Sequence, residues 1–508
     1  MNKLILIVII FFASLISTAQ GVFDKIYTHK ALSALVQPSK FTKASDGGYG
    51  LVTLDNDFFK ISLIKTDSLG NVEWAKRYSG VYNNTSIAST LDGGFIVGAT
   101  LLDTITNFSI PVLIKVNSSG IPEWAYGYGD TSVYAYAGEV LHLSDGNLLI
   151  GYVLDTIAGF NACLVTKTDF NGNAVWQKKY SGNTDIEVRN AVQMANSNIV
   201  IGGIGPVQCS STIMCIDTTG NLIWGRLYIF TPSYDFSVLH VNTTSNNDII
   251  ATGRMSVSSA WDIFAMRLSS SGDFLWGKYY ENSYDCDEGY SIHETNDGGL
   301  IICAEPESYN NNSSQTALIK TDSSGNLDWM RIIQPNKESF PFGGLMNTDG
   351  GMTIFGIDGH CGDYANITLM RTGPNFETDC EQQNVTTNPL DFTVVIDTFS
   401  TDTSILGSIM IPIVESIDNV ECSDLCQFIS LVDRNPNIEN IFLSPNPTHG
   451  LVNIIGQKSY VTVYDQFGQL VFQKESSQTF DIADKPNGVY FVTLSNKQGT
   501  KTIMIIKN

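Results

Sequence analysis

Histidines and clustered carboxylates are the residues of this chain that could support acid–base chemistry or metal binding. Two of the six histidines, His142 and His293, come shortly before Asp-Gly turns. Their distances from the turn differ by one residue, so we expect them on opposite faces of their strands. The sequence therefore predicts isolated, hydrogen-bonding histidines rather than a catalytic or metal-binding pair.

Two acidic stretches resemble fragments of calcium-binding loops. One contains Asp285, Asp287 and Glu288, and the other contains Asp55 and Asp57. Neither continues into the loop pattern with Gly at position six and Glu at position twelve. Because the sequence also lacks a phosphate-binding loop and a nucleophile elbow, it predicts no catalytic residues, no metal site and no cofactor.

The cysteines favour a single disulfide rather than a zinc site. Of the nine cysteines, Cys380, Cys422 and Cys426 are grouped in the segment that follows the repeats described below. No second Cys pair or His pair accompanies Cys422 and Cys426, as a zinc site would need. These three residues are the candidates for one bridge, which an exported protein can form.

Composition and charge exclude one large class of partners. The formal net charge is −22 with 16% charged residues, and no cluster of Lys and Arg offers a surface for nucleic acid. Gly, Asn, Ser and Thr are frequent, which is typical of an all-β chain with many turns.

Residues 1–19 have the pattern of a secretory signal peptide. Lys3 precedes an apolar run at 4–12, and small residues follow it as far as Ala19. The pattern predicts cleavage between Ala19 and Gln20 and export into the periplasm. The apolar run is shorter than a membrane-spanning helix requires.

A repeat of about fifty residues organises most of the chain. Its first half is a turn of the Asp-Gly or Asn-rich type followed by an apolar strand, and such turns permit the positive φ of a tight hairpin. The seven turns begin at Asp46, Asp92, Asp145, Asn196, Asn246, Asp297 and Asp349.

The second half of the repeat is a "LIKTD" strand, a turn and a strand centred on an aromatic residue. Phe23 aligns with the six tryptophans at the centres of these strands, so the N-terminal strand is expected to complete the last unit. Four strands per unit predict a seven-bladed β-propeller over residues 20–373, with these residues packing between blades. The predicted packing residues are Phe23, Trp74, Trp124, Trp176, Trp224, Trp276 and Trp329.

The repeat resembles a propeller-type repeat with the pattern DGG…LIKTD…GN…W that is common in large exported proteins of Bacteroidota. Units one, two and six match this pattern well, whereas unit four lacks the DGG and unit seven lacks the Trp strand. The resemblance implies an exported propeller and leaves its ligand open.

Residues 439–508 predict a small, Ig-like β-sandwich from their alternating apolar pattern. Short motifs with prolines, an asparagine, glycines and a tyrosine stand out here, at Pro445, Asn446, Pro447, Gly450, Gly468, Gly488 and Tyr490. In these residues the segment resembles the type A sorting domain of the type IX secretion system, which implies recognition by the translocon and a sortase. The implied product is a secreted protein or one attached to surface lipopolysaccharide.

Residues 374–438 are expected to form a small β extension and a linker. For the whole chain, the sequence favours a non-enzymatic, surface-located or secreted propeller that binds an extracellular glycan or protein. The alternatives are an exported hydrolase or lyase with a site assembled in the propeller channel, and a passive spacer. An enzyme would need two acids, or an acid with a His or Tyr, in one cleft, whereas a spacer would have no concave polar site.

Overall fold

The computed structural model describes strands and turns along most of the chain. The described residues are 21–29, 36–55, 60–102, 109–129, 134–155, 160–180, 186–205, 210–231, 235–256, 260–281, 287–306, 314–334, 337–359, 366–398, 408–410, 414–417, 420–424, 442–444, 448–455, 459–465, 470–496 and 499–507. Within these ranges there is no helix, and hence no apolar helix of membrane-spanning length. The prediction of an all-β chain is confirmed.

The chain divides into two compact units, Met1–Leu425 and Cys426–Asn508. Strands β1 to β28 of the first unit form seven antiparallel sheets, called sheets 1 to 7. Strand β1 is Phe23–His29 and belongs to sheet 7.

Sheets 1 to 4 each contain four strands that follow one another along the chain. Sheet 1 comprises β2 (Val36–Lys43), β3 (Tyr49–Asp55), β4 (Lys60–Thr66) and β5 (Val72–Ser79). Sheet 2 comprises β6 (Tyr82–Ser89), β7 (Phe95–Leu102), β8 (Ser109–Val116) and β9 (Pro122–Tyr128). Sheet 3 comprises β10 (Ala135–Leu143), β11 (Gly146–Asp155), β12 (Phe160–Thr168) and β13 (Ala174–Tyr180). Sheet 4 comprises β14 (Glu187–Gln193), β15 (Ile199–Ile204), β16 (Ser210–Ile216) and β17 (Leu222–Ile229).

Sheets 5 to 7 continue the pattern, except that the last one takes a strand from the beginning of the chain. Sheet 5 comprises β18 (Asp235–Thr243), β19 (Ile249–Ser256), β20 (Asp262–Leu268) and β21 (Phe274–Glu281). Sheet 6 comprises β22 (Glu288–Glu294), β23 (Leu300–Glu305), β24 (Thr316–Thr321) and β25 (Leu327–Ile333). Sheet 7 comprises β26 (Ser339–Met346), β27 (Met352–Asp358), β28 (Asn366–Arg371) and β1.

The N-terminal strand lies antiparallel to β28, with Phe23 opposite Arg371 and Tyr27 opposite Ile367. None of the sheets closes on itself within the described residues, because each keeps two edge strands. The first strands of the sheets contact one another in chain order, β2 with β6, β6 with β10 and so on, and β26 contacts β2 again.

Ion pairing of a buried lysine explains why the turn Asp and the "LIK" Lys recur together. In sheet 1, Lys65 is 3% exposed, and its Nζ lies 2.7 Å from both Asp46 Oδ2 and Glu73 Oε2. Asp46 also accepts a hydrogen bond from the Gly48 amide, which fixes the turn. A buried ammonium is tolerated only when its charge and protons are matched in this way. Sheets 2 and 6 repeat the arrangement around Lys115 and Lys320.

Sheet 4 has lost both partners of this ion pair together. Its turn begins with Asn196 instead of Asp, and the buried Cys215 stands where the other sheets have Lys or Arg. Replacing both charged groups leaves no uncompensated charge, whereas replacing one would. The fourth repeat has therefore lost the Asp and the Lys together, and neither charge remains without its partner.

The last strand of each sheet, which is β1 in sheet 7, carries an aromatic residue. This residue packs on a turn of the next sheet. A Cβ added to Gly120, which has φ +75°, would lie 2.7 Å from Trp74 Cζ3, so a side chain there would displace the indole. The same contact joins other pairs of residues from consecutive sheets, Phe23 with Gly70, Trp124 with Gly172, Trp176 with Gly220, Trp224 with Gly272 and Trp276 with Gly325. Trp329 contacts Phe376, with ring centroids 5.9 Å apart, and Phe376 itself has φ +61°.

Buried tyrosines form a second link between consecutive sheets, which the sequence analysis did not identify. Tyr180 is fully buried and donates a hydrogen bond to Gly220 O at 2.7 Å. Five more tyrosines donate in the same way, Tyr27 to Gly70, Tyr78 to Gly120, Tyr128 to Gly172, Tyr228 to Gly272 and Tyr280 to Gly325. In sheet 6 the equivalent residue is Ile333, so this hydrogen bond ends there.

Residues 382–424, which we call the belt, add a fifth strand to six of the seven sheets as far as the segment is described. The strands pair with sheets 6, 5, 4, 2, 1 and 7 in that order, the reverse of the chain order. They are β29 (Gln382–Val385), β30 (Asn388–Asp391), β31 (Val395–Thr398), β32 (Ser408–Met410), β33 (Val414–Ile417) and β34 (Val420–Asp424). Each belt strand covers an outer edge whose free N–H and C=O groups would otherwise be exposed.

One aromatic residue of the belt packs into the core formed by sheets 4 and 5. Phe392 is 5% exposed and meets Phe230, Phe236 and Phe264 edge-on, with ring centroids 5.5 to 5.9 Å apart. Cys380 is disulfide-bonded, while the side chains of Cys422 and Cys426 lie outside the described residues. The sequence predicted a β extension here but not its course around the sheets, because short strands at sheet edges carry little hydrophobic pattern.

The second unit contains two sheets with one shared core. The first sheet comprises β35 (Phe442–Ser444), β36 (Leu451–Ile455) and β39 (Thr479–Asp481). The second comprises β37 (Ser459–Asp465), β38 (Leu470–Ser477), β40 (Gly488–Asn496) and β41 (Gly499–Lys507). Val452 and Phe480 from the first sheet pack with Val463, Val492 and Ile505 from the second. Two sheets packed face to face over such a core make a small sandwich.

Candidate functional site

A β-bulge recurs at an equivalent place in the first strand of every sheet. In each sheet the pairing register between the first and second strands shifts at one point, and one residue of the first strand follows that shift directly. Bulges of this kind redirect a side chain and are frequent next to functional sites. These seven residues, which we call the bulge positions, are Lys40, Ser86, Glu139, Asn190, His240, Ser291 and Gly343.

The bulge positions surround a cavity of about 350 Å³ that is lined by residues from all seven first strands. All bulge positions except Ser86 line this cavity, and Ser86 is followed by the lining residue Ile87. A concave site with a few convergent polar groups is the usual setting of a ligand-binding site. This cavity is therefore the candidate functional site.

One half of the cavity wall contains a charged network. Lys40 Nζ lies 3.2 Å from Glu139 Oε2, although the two residues belong to sheets 1 and 3. The small Ser86 occupies the bulge position of sheet 2 between them, which leaves room for the Lys side chain. From sheet 4, Asn190 Nδ2 donates to the same oxygen at 3.3 Å, and Asn190 Oδ1 accepts from Val241 N at 3.0 Å. Glu139 is only 7% exposed, so this pairing compensates a buried charge.

The histidines beside this network are held in the neutral form. The pKa of His240 lies well below its ordinary value because of burial, and the neighbouring His293 and Lys40 lower it further. Burial lowers the pKa of His293 to about 4, although its hydrogen bond to Gly344 O opposes the change. The two imidazole centroids are 5.5 Å apart, so a charge on one ring would disfavour a charge on the other.

Hydrogen bonds assign the tautomers of these two rings. His240 Nδ1 accepts a hydrogen bond from Ile292 N at 3.4 Å, which leaves the proton on Nε2. His293 Nε2 donates to Gly344 O at 2.7 Å, and His293 Nδ1 accepts from Asn242 Nδ2 at 2.8 Å. His293 is thus fully engaged in joining sheets 5, 6 and 7, whereas His240 has an N–H group available to the cavity.

The other half of the wall is open and aromatic. A Cβ added to Gly343 would meet no described atom within 4 Å, so the cavity extends to the backbone there. The Oγ of Ser291, a cavity-lining residue that is 1% exposed, has no hydrogen-bond partner among the described residues. Tyr290 and Phe342 lie on the same side with ring centroids 6.1 Å apart. This half offers space and apolar ring faces.

The cavity contains an acid, histidines and a tyrosine, but their environments are poor for acid–base catalysis at neutral pH. Glu139 is bound by Lys40 and Asn190, and His240 stays neutral far below its ordinary pKa. Burial and the nearby carboxylates Glu305 and Glu288 raise the pKa of Tyr290 well above its ordinary value. A general base or acid works best when its pKa is near the operating pH.

Sequence reasoning separated two histidines and missed a third. His142 lines the cavity and contacts Asn147 Oδ1 through Nδ1 at 2.8 Å, whereas His293 lies behind the wall and touches His240. One signal would have found the site. Every bulge position lies six residues before the first residue of its turn. When the seven repeats are aligned on their turns, this position holds Lys, Ser, Glu, Asn, His, Ser and Gly in order.

The acidic stretches are used in packing where the structure describes them. Arg254 forms ion pairs with Asp235 and Glu288 and stacks on Trp261, its guanidinium carbon 4.0 Å from the ring centroid. Asp287 is fully buried, and its backbone N–H donates to Trp261 O at 3.2 Å. Asp57, Asp285 and the side chain of Asp55 lie outside the described residues. Within the described part of the chain, no group of three His, Cys, Asp or Glu residues is placed to hold a metal ion.

Three of the residues singled out in the C-terminal segment are described by the structure. Gly450 follows Thr448, whose Oγ1 accepts a hydrogen bond from the Gly450 amide at 3.0 Å. Gly488 begins β40, and Tyr490 is 3% exposed and donates to Pro486 O at 2.6 Å. The remaining residues predicted for the sorting motif and for signal cleavage lie outside the described residues, namely Pro445, Asn446, Pro447, Gly468, Ala19 and Gln20.

Two solved structures from B. thetaiotaomicron are similar to this chain at a low level. One is the extracellular domain of a proposed hybrid two-component system, with 9% identity over 93% of this chain and 86% of the other and a TM-score of 0.22. The second is the extracellular domain of a proposed one-component system, with 9% identity over 96% of this chain and 100% of the other and a TM-score of 0.18. No curated protein has a sequence that matches this chain significantly.

Residues 442–508 match the family described as Secretion system C-terminal sorting domain. The match covers the part of the second unit that contains strands β35 to β41. This chain therefore carries a type IX sorting domain at residues 442–508, which directs export to the cell surface or the extracellular space.

Proposed function

We propose that this chain is an exported, non-enzymatic binding protein whose first unit is a seven-bladed β-propeller. In this proposal sheets 1 to 7 are the blades, the first strands line the central channel, and β1 closes the last blade. The cyclic order of contacts from β2 through β26 and back to β2 supports the ring. Phe23 and the six tryptophans would be the residues that pack one blade on the next.

The bulge positions carry the proposal of a binding role. The residues that link the sheets are nearly the same in every repeat, whereas the bulge positions differ in size, charge and hydrogen-bonding capacity. A purely structural ring would not need this variety around a cavity, and a site that recognises an asymmetric ligand would. A passive spacer is correspondingly disfavoured.

The alternative is a hydrolase or lyase with its site in the same cavity. Glu139, His240 and Tyr290 all line the cavity, as such an enzyme would require. The ion pair of Glu139 and the displaced pKa values of His240 and Tyr290 favour binding over acid–base chemistry.

In this proposal, export of the protein depends on segments at both ends of the sequence. Residues 1–19 would be removed between Ala19 and Gln20 on entry to the periplasm, and the sorting domain would engage the type IX translocon and a sortase. Cleavage near residue 438 would then release the first unit or attach it to lipopolysaccharide. Deleting residues 442–508 is expected to trap the protein in the periplasm. Export that continues unchanged without these residues would contradict this route.

The binding role is tested by a thermal-shift screen of the purified exported protein with small molecules of several chemical classes. We expect at least one class to raise the melting temperature, and we expect the Tyr290→Ala variant to lose that response while remaining folded. Mass spectrometry of each stabilising compound, before and after incubation, tests the enzyme alternative. A chemically altered compound would overturn the non-enzymatic proposal.

A further inference from the structure

The charges around the cavity point to a neutral ligand. Lys40 and Glu139 carry opposite charges and bind one another, and the low pKa of His240 keeps that ring uncharged. The chain as a whole has a formal net charge of −22, which disfavours the approach of anions. An anionic ligand would have to take Lys40 from Glu139 to gain a partner, and the buried Glu139 carboxylate left behind would then be uncompensated.

The polar groups suit a ligand with several hydroxyls. Glu139 accepts hydrogen bonds, Lys40 and the His240 Nε2–H group donate them, and the Asn190 amide can do both. The unpartnered Ser291 hydroxyl, at the cavity wall, adds a further donor and acceptor once it rotates toward a ligand. A hydroxyl group both donates and accepts, so it can bridge a carboxylate and an ammonium without carrying charge.

The aromatic half of the wall suits the apolar face of a sugar ring. Tyr290 and Phe342 lie side by side, and the Tyr290 hydroxyl donates to Glu305 Oε2 at 2.9 Å, which holds the ring in place. The C–H groups on one face of a pyranose pack well on such rings, while its hydroxyls point outward to polar partners. The open space at Gly343 is where this ring would enter.

The size of the cavity narrows the choice further. A volume of about 350 Å³ is near the lower end of the range for small-molecule sites, roughly 300–1,000 Å³. This accommodates a mono- or disaccharide, whereas a protein partner would need a surface of roughly 800 Å² on each side. We infer that the cavity binds a small, neutral saccharide, with the Lys40–Glu139–Asn190 network and His240 binding its hydroxyls and Tyr290 and Phe342 its ring face. This inference rests on the proposed binding function.

Saturation-transfer NMR on the full exported chain tests this inference. The probes are neutral hexoses and their disaccharides, the corresponding uronic acids, and free amino acids. We expect at least one neutral sugar to bind, and we expect Glu139→Gln and Tyr290→Ala each to weaken it by about 10-fold or more. Tyr290→Phe keeps the ring and should restore most of the affinity. Ser86→Ala, at the bulge position that does not line the cavity, is the matched control.

Each outcome is decisive once melting curves show that the variants are folded. Binding of a neutral sugar that depends on Glu139 and on the Tyr290 ring supports the inference. Cavity-dependent binding of only uronic acids overturns the neutral charge of the ligand, and binding of only amino acids overturns the saccharide; both leave the binding role intact. If no probe binds, or if sugar binding is insensitive to both variants, the saccharide site is refuted. A thermal-shift response to some other class that Tyr290→Ala abolishes would then still uphold the binding role.

Discussion

Two sets of equivalent residues in the same seven sheets follow opposite rules. The residues that hold the architecture together recur with little change: the turn Asp with its Lys inside each sheet, and the aromatic residue and the buried Tyr between sheets. The bulge positions, only six residues before each turn, include a cation, an anion, an amide, an imidazole and a glycine. The repeated residues thus maintain the packing of the sheets, whereas the residues that vary from repeat to repeat lie around the candidate binding cavity.

The largest expected effect comes from a residue of the repeated set. Tyr180 is fully buried and hydrogen-bonded to Gly220 O, so Tyr180→Ala removes a large side chain and leaves that carbonyl unpaired. We expect the free energy of unfolding to fall by about 3–5 kcal/mol. Tyr180→Phe keeps the packing and should cost about 1 kcal/mol. Urea denaturation measures both, and a Tyr180→Ala variant as stable as Tyr180→Phe would refute the packing role.

The histidines at and behind the cavity wall should make the first unit sensitive to mild acid. Above pH 6.5 His293 is neutral whether the chain is folded or unfolded. Between pH 6.5 and about 4 the unfolded chain binds a proton that the folded chain does not, so stability is lost as the pH falls. The loss from His293 is on the order of 3 kcal/mol, and His240 adds to it with the same sign.

Denaturation curves measured from pH 7 to pH 4 test this effect, and His293→Gln should flatten the profile. The repeated carboxylates respond in a different window. Burial raises the pKa of Asp92, but hydrogen bonds from Lys115 and Thr90 outweigh it and lower the pKa to about 2. The stability that Asp92 contributes is therefore lost only below about pH 4. A wild-type profile that is flat down to pH 4 would contradict the burial of the histidines.

An intermediate effect is expected when the Asp and Lys of the sheet 1 ion pair are replaced by Asn and Cys, the residues that sheet 4 has at these places. Lys65→Cys alone leaves Asp46 and Glu73 without their buried partner and should cost about 1–3 kcal/mol. The double variant Asp46→Asn with Lys65→Cys should cost less than the sum of the two single changes, by about 0.5 kcal/mol or more. A double-mutant cycle with strictly additive values would show that the paired loss in sheet 4 is coincidental.

The smallest effect is expected at a bulge position outside the cavity lining. Ser86 is fully buried, and its Oγ has no hydrogen-bond partner among the described residues. Removing the hydroxyl in Ser86→Ala should therefore change the free energy of unfolding by less than about 0.5 kcal/mol or raise it slightly. Calorimetry checks this value. A loss above about 1 kcal/mol would place Ser86 among the residues that hold the sheets together.

Much of the architecture could be predicted because the repeat presents each signal several times. Turn pairs such as the one at Asp46 and apolar runs such as Phe95–Leu102 indicated strands and hairpins directly, and the described part of the chain contains no helix that contradicts them. The sorting domain was recognised from a continuous segment whose family match covers residues 442–508. Such signals depend only on residues that are close together in the sequence, so they can be read without knowing the fold.

The candidate site could not be predicted in the same way. Lys40 and Glu139 are 99 residues apart in the chain and meet only because the first strands converge. His240 carries no local motif, and the offset rule that separated His142 from His293 says nothing about residues on neighbouring strands. The belt was equally hidden, since its strands are only three to five residues long and are stabilised by the edges that they cover.

The course of the belt has a mechanical consequence. If the protein is held by its C-terminal end at a surface, tension enters the first unit at residue 424 and reaches β34 first, where it pairs with the N-terminal strand β1. The next strands under load are β33 and β32, each joined to its sheet by a ladder of only a few residues. Such short ladders separate one after another, and every freed residue lengthens the tether by about 3.3 Å. A disulfide from Cys380 to Cys422 or Cys426, the bridge expected from the sequence, would carry this load past the belt strands, so the belt should yield strand by strand only after reduction.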